Sequence, residues 1–301
     1  MSASSLRVAV TTANFLPATA VSRRAVDRFH AWSRAQGFAA PELLVTRAVV
    51  RDSPCDLAWS SVHEVWNPRD RWMRELARIA RRQPQSRGMS PYPMDSVLFA
   101  DGAPSERALF AVAEAAQAVA VVSELQSPIT GQRYLSPAAC VQVHPDLGPA
   151  GDFLPLERVA EIIEARDYGV VLDTNHVRRR VRRHPGGQTE IAPPLPAAGE
   201  PSLGGVTATW RRLGPRVRLT HFQFTEPAEL AKALATNEWP RSLDEFRALL
   251  PEVAQRGIPV VIEVNAGWVS PAPAVRFGLT WGPMQDACCR IRDLLVRAAG
   301  G

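Results

Sequence analysis

Tyr168-Gly169-Val170-Val171-Leu172-Asp173-Thr174-Asn175-His176-Val177 is the stretch on which the fold turns. A short β-branched apolar run reads as a strand buried on both faces. Its polar residues arrive together where that strand ends. In a barrel of parallel strands, the strand ends carry the chemistry. Two readings apply to Asp173 and His176. Asp-Thr-Asn is favourable turn chemistry in any protein, because short polar side chains bond their own backbone. A carboxylate and an imidazole leaving one strand end also offer lone pairs to a metal or a substrate.

Outward from this stretch the same alternation recurs. Upstream, Pro155 to Arg166 puts Leu156, Val159, Ile162 and Ile163 on one helical face. Ala118 to Glu124 reads as a fifth strand ending in a carboxylate. If it instead ends the preceding helix, Cys140 to Pro145 becomes the fifth strand, with Gln142 or His144 in place of Glu124. Before it come strands at Leu6–Thr12, within Pro41–Val50, at Ser60–Val65 and at Asp95–Ala100, separated by helices at Ala20–Gln36, Arg69–Arg82 and Glu106–Gln117. Downstream, residues 178–215 are irregular, with arginines, Pro185-Gly186-Gly187 and Gly204-Gly205, and read as an inserted loop or lid with one short helix near Val206–Leu213. Arg216–Phe224 is a seventh strand. Ser242 to Glu245 has the spacing of a capping box opening a helix to Gln255, and Ile258–Asn265 is the eighth strand. A helix at Pro283–Ala298 follows.

Buried strands alternating with amphipathic helices indicate a parallel sheet. Eight such units in 301 residues predict a single α/β domain, a (β/α)8 TIM barrel over residues 1–301 with its irregular insertion after strand six. An open doubly wound sheet would place a glycine-rich phosphate turn after strand one. The chain has Thr11-Thr12-Ala13-Asn14-Phe15 there.

The later strands close on Glu124, on Asp173 with His176, on His221 and on Glu263. In a barrel these ends share one mouth. Glu124, Asp173, His221 and Glu263 together offer mixed oxygen and nitrogen ligation, which suits one divalent ion: Mn, Mg, Co, Fe or Zn. Without it, three crowded carboxylates would repel and one would keep its proton.

A hydrophobic content of 46% and a charged content of 22% describe a globular chain with ample core. No apolar run approaches the ~20 residues that span a bilayer, so no membrane partner is expected. The start, Met1-Ser-Ala-Ser-Ser-Leu-Arg-Val8, shows no signal peptide, and four cysteines without CxxC spacing fit a reducing compartment; the expected location is cytoplasmic. Net charge is +5, with five arginines between Arg178 and Arg183. Lys232 is the one lysine, so the arginines follow the chain's general usage. They read as a solvated loop, and nucleic acid is disfavoured as a partner against a small-molecule substrate. A second copy of the chain is compatible with all of this.

The order of strand ends resembles the xylose isomerase-like TIM-barrel superfamily, which includes sugar phosphate isomerase/epimerase-like proteins and the apurinic endonucleases. That group ends strand five in Glu, strand six in Asp-x-x-His, strand seven in His and strand eight in Glu. Here the matching residues are Glu124, Asp173-Thr-Asn-His176, His221 and Glu263. The resemblance implies a metal held by Glu124, Asp173, His221 and Glu263. It makes Glu124 and Glu263 an acid/base pair, and His176 and His63 substrate contacts. Gln223 and Arg178 join them as substrate-binding candidates. The departures are Gln223 where members often carry an acid after the strand-seven His, the arginine-rich insertion, and the Ser-Glu-Leu-Gln-Ser context of Glu124.

The activity so implied is a metal-dependent isomerase or epimerase of a sugar-like hydroxy-carbonyl compound. Alternatives are a phosphodiesterase resembling apurinic endonucleases, a metal-assisted lyase or oxidative reaction, or a ligand-binding barrel without turnover. Against the phosphodiesterase, strand four ends Phe99-Ala100-Asp101 without His, and no Asp-x-His follows His221.

Overall fold

The computed structural model describes residues 5–15, 19, 23–45, 61–64, 118–124, 139–143, 154–183, 189–192, 203–264, 269 and 281–300. The strands are β1 (Val8–Val10), β2 (Glu42–Val45), β3 (Ser61–Glu64), β4 (Ala120–Glu124), β5 (Ala139–Val143), β6 (Gly169–Asp173), β7 (Arg180–Arg183), β8 (Thr189–Ala192), β9 (Val217–Phe222) and β10 (Val260–Ile262). The helices are α1 (Arg23–Ala35), α2 (Leu156–Ala165), α3 (Gly205–Leu213), α4 (Pro227–Thr236), α5 (Asp244–Gln255) and α6 (Gly282–Gly300).

Eight strands form one sheet in the order β1-β10-β9-β6-β5-β4-β3-β2. The pairings β2–β3, β3–β4, β5–β6 and β6–β9 are parallel. Strands consecutive in the sheet are neighbours, and the last pairs with the first. That is the order of an eight-stranded (β/α)8 sheet opened between its first two strands, where an isolated parallel bridge, Thr11 to Glu42, remains. A doubly wound sheet would leave its first and last strands apart.

The strand count differs from the sequence reading in one respect that matters. Ala120–Glu124 is the fourth strand of the sheet, and Ala139–Val143 the fifth. Glu124 therefore does not end strand five. The expected fourth strand, Asp95–Ala100, lies outside the described residues, as does His144. The physical reason is burial: Cys140, Val141 and Val143 are at most 1% exposed, so this five-residue piece is a core strand despite its Pro- and Gly-rich surroundings. The insertion after strand six carries a hairpin, with β7 and β8 antiparallel and Arg180 opposite Ala192. The short helix expected there is α3.

Contacts divide the chain into two compact units. In one, β6 contributes Val170, Val171 and Leu172 and β9 contributes Leu219 and Phe222, all fully buried. Helix α2 buries Val159, Ala160 and Ile163, and α5 buries Phe246, Leu250 and Val253. Phe222 packs 5.7 Å from Phe246 and edge-on to Phe224 at 5.3 Å, ring pairings that add to area burial. In the other unit, Phe15 gathers Phe29, Trp32 and Trp281 with ring centres 5.1–5.4 Å away.

The expected capping box at Ser242 does not form. The residue before α5 is Leu243, which makes no side-chain cap. Glu245 reaches instead to α3, where its Oε2 accepts the Thr207 amide at 3.0 Å. A carboxylate there offsets the positive end of that helix. The approach is possible because Gly205, at φ +85°, has no Cβ; one built there would meet Glu245 Oε2 at 3.0 Å. Gly205→Ala is therefore expected to cost about 1–3 kcal/mol for the left-handed backbone alone, read as a lowered urea midpoint. An unchanged midpoint would contradict this account.

Candidate metal centre

The β6–β9 register sets Asp173 beside His221. Side chains at paired positions of parallel strands share a face, so carboxylate and imidazole point the same way. Both are fully buried. Beyond the last ladder bond the strands remain joined by Thr174. Its amide donates to the His221 carbonyl at 3.0 Å, its hydroxyl donates to the Gln223 carbonyl at 3.0 Å, and the Gln223 amide donates back to that hydroxyl at 2.9 Å.

Both readings of Asp173 hold at once, one per oxygen. Oδ1 accepts the backbone amides of Asn175 at 2.7 Å and His176 at 2.9 Å, which is the polar turn that starts the 3-10 segment His176–Arg178. Oδ2 faces the other side chains. It accepts Gln142 Nε2 at 2.9 Å and Gln223 Nε2 at 2.8 Å. His176 Nε2 lies 3.7 Å and His221 Nδ1 3.8 Å from the same oxygen. Burial pushes the Asp173 carboxyl up; the imidazoles of His176 and His221, with the two turn amides, outweigh it and hold it below its ordinary range. A buried carboxylate kept ionised is a metal ligand in waiting.

Asp173 Oδ2 and His221 Nδ1, 3.8 Å apart and both buried, are two atoms that can bind one ion. A carboxylate and an imidazole suit a divalent ion of the Mg, Mn, Co, Fe or Zn series.

Glu263 follows β10 directly, and its backbone is held by a residue absent from the sequence-based site. Asn14, 2% exposed in the 3-10 turn Thr12–Phe15 after β1, donates Nδ2 to the Ile262 carbonyl at 3.0 Å. Its Oδ1 accepts the Val264 amide at 2.8 Å. A primary amide presents one donor and one acceptor, as a neighbouring strand would, so Asn14 extends the ladder across both sides of Glu263. The available signal was a polar run, Thr-Thr-Ala-Asn, directly after a buried strand, where apolar packing or glycine would otherwise be expected.

The remaining candidates divide. His176 and Gln223 both stand at Asp173 Oδ2, as above. Arg178 spends Nε on the Thr174 carbonyl and Nη1 on the Ser242 carbonyl, each at 2.5 Å, so much of its hydrogen-bonding capacity braces the Asp173 turn. Its Nη2 is buried with no hydrogen-bond partner among the described residues. His63 lies in β3, paired with Leu44 and Val122, and Glu124 is the last residue of β4; both side chains fall outside the described residues. Gln142, present in the sequence reading only as an alternative, is 5% exposed and sits inside the cluster, its Nε2 also 3.4 Å from His221 Nδ1.

No protein-family model matches the chain, and no curated protein matches it. Among solved structures it is similar to a xylose isomerase domain-containing protein of Salmonella typhimurium LT2. That likeness covers 95% of each chain at 12% identity, with a TM-score of 0.44.

Asn14→Ala takes the acceptor from the Val264 amide, while the Ile262 carbonyl keeps the Thr11 amide at 3.4 Å. The expected loss is about 1–3 kcal/mol for the one buried group so orphaned, measured by equilibrium denaturation. A wild-type midpoint would mean that the clamp contributes nothing.

Proposed function

We propose that the chain is a divalent-metal-dependent isomerase or epimerase of the xylose isomerase-like kind, acting on a small hydroxy-carbonyl compound. One observation carries the reading: Asp173 and His221, aligned in the β6–β9 register and fully buried, set Oδ2 and Nδ1 3.8 Å apart. The sheet order supports it, since β6, β9 and β10 are adjacent in the ladder.

In this reading Asp173, His221 and Glu263 hold the ion. Bound there, it would supply Lewis-acid polarisation of a substrate carbonyl. The chain's own residues do the rest. Glu263, half-buried and flanked by the Asn14 clamp, takes a proton from the carbon next to the carbonyl and returns one. Glu124, at the end of β4, is the second carboxylate available to this scheme, for the opposite face. His176, whose ring stands 3.7 Å from Asp173 Oδ2 and is about one-fifth exposed, reaches the substrate's oxygen. Gln223 keeps Asp173 aimed. It donates to Oδ2 while its own Oε1 accepts Asn175 Nδ2 at 3.2 Å, so its carboxamide is fixed at both ends.

Elemental analysis of the purified chain is expected to find about one divalent ion per chain, lost in Asp173→Ala. In deuterated water a panel of ketoses should exchange their α-proton with the metal-loaded protein, and Glu263→Gln should lower exchange by at least about 100-fold, the usual range for a positioned general base. Unchanged metal content and exchange in Glu263→Gln would refute the assignment. Glu124→Gln separates one-carboxylate from two-carboxylate transfer: loss of epimerisation with retained exchange marks Glu124 as the second base.

A further inference from the structure

We propose that Cys288 is a positioning residue for Glu263, acting through Asn14. Its sulfur takes the second carboxamide hydrogen of Asn14 and so fixes the amide that clamps the chain on either side of the carboxylate. The proposal rests on the reading of Glu263 given above. Asn14, Ile262, Glu263, Val264 and Cys288 all belong to one compact unit.

A primary carboxamide carries two N–H donors and one carbonyl oxygen. In Asn14 the oxygen accepts the Val264 amide at 2.8 Å, and one hydrogen goes to the Ile262 carbonyl at 3.0 Å. The same Nδ2 stands 3.6 Å from Cys288 Sγ. Asn14 is 2% exposed and Cys288 is fully buried, so the sulfur is the acceptor that the second hydrogen has among the described residues. A buried donor left without one would be costly. Burial pushes the Cys288 thiol up, against the Asn14 N–H, which pulls it down, and the sulfur stays a neutral thiol.

The two bonds to the strand do not hold the amide by themselves. The terminal torsion of an asparagine is broad, and the Ile262 carbonyl has a second donor in the Thr11 amide at 3.4 Å. A third contact, on a different element, fixes the carboxamide plane. Cys288 supplies it from α6, so the last helix bears on the backbone that carries Glu263. The adjacent cysteines of the sequence then have separate duties. Successive residues of an α-helix point about 100° apart. Cys288 turns to Asn14, while Cys289, partly exposed, donates to Gln36 Oε1 at 3.7 Å, just past α1. A cysteine serving only as a small apolar filler could be exchanged for alanine or valine without effect on Glu263. One serving as an acceptor could not.

Cys288→Ala and Cys288→Val keep an apolar side chain and remove the acceptor; Cys288→Ser keeps one. Native-state amide exchange of Val264 is read first, with Val260, whose amide donates to the Arg7 carbonyl, as the internal reference. Loss of the sulfur is expected to speed exchange at Val264 by about 10-fold relative to Val260, the equivalent of one hydrogen bond, with Cys288→Ser near wild type. Isothermal titration of the chelator-treated chain with Mn2+ is read second. The Ala and Val variants are expected to bind about 10–100-fold more weakly, the range for a residue behind a metal ligand. Unchanged Val264 exchange in either variant that folds overturns the proposal. So does faster exchange with Mn2+ affinity unchanged, since the clamp would then be structural alone. Cys288→Ser behaving as Cys288→Ala would assign the effect to the bulk of sulfur rather than to its lone pairs, with the same result. If wild type binds no Mn2+, the metal reading falls and the proposal with it; Mn2+ binding by wild type with indifferent variants overturns the proposal alone.

Discussion

One buried carboxylate governs this centre. Asp173 is fully out of water, and an ionised carboxylate there is tolerated only because four N–H groups surround it and two imidazoles stand within 4 Å. Each of those donors has a second duty. The amides of Asn175 and His176 begin the turn that carries His176. Gln223 continues β9 past its end, and Gln142 belongs to β5. Satisfying one charge therefore fixes the ends of three strands relative to one another, which is what a site assembled from distant parts of a chain requires.

The same economy appears around Glu263 and Thr174. Strand ends are where ladder hydrogen bonds stop, and buried amides and carbonyls there need partners. Thr174 supplies them between β6 and β9, and Asn14 supplies them beside β10. Side chains that imitate backbone keep the functional carboxylates in register beyond the last regular pairing. Arg178 does comparable work from outside, tying the Thr174 carbonyl to the Ser242 carbonyl. Its residual buried N–H is the part of the guanidinium that this bracing does not use.

Asp173 was legible because it follows a buried apolar run, where polarity has few structural uses, and His221 because it stands near the end of the next strand read in the chain. Glu263 was legible from its place after an apolar run, within Val-Val-Ile-Glu-Val. Asn14 was not, and Gln142 stood only as an alternative. Asn14 lies far from Ile262 and Val264 in sequence, and its role depends on which strand passes beside it. Gln142 sits at an inner position of a five-residue strand, where alternation alone gives a polar residue no more than a direction. The capping box at Ser242 failed in an instructive way: Glu245 had two helix starts within reach, and the one opened by Gly204 and Gly205 won it.

The apolar periodicity determined the class of fold, because burying β-branched strands against amphipathic helices leaves few arrangements other than a parallel sheet. It also determined that polar groups would gather at the strand ends. Which strand is fifth, and so whether a carboxylate or a carboxamide stands beside Asp173, was decided only in three dimensions. Strand order is set by long-range hydrogen bonding and burial, which short apolar runs such as Ala120–Glu124 and Ala139–Val143 satisfy equally well when read alone. The register that aligns Asp173 with His221, and the amide that completes β10, exist only once those strands have met.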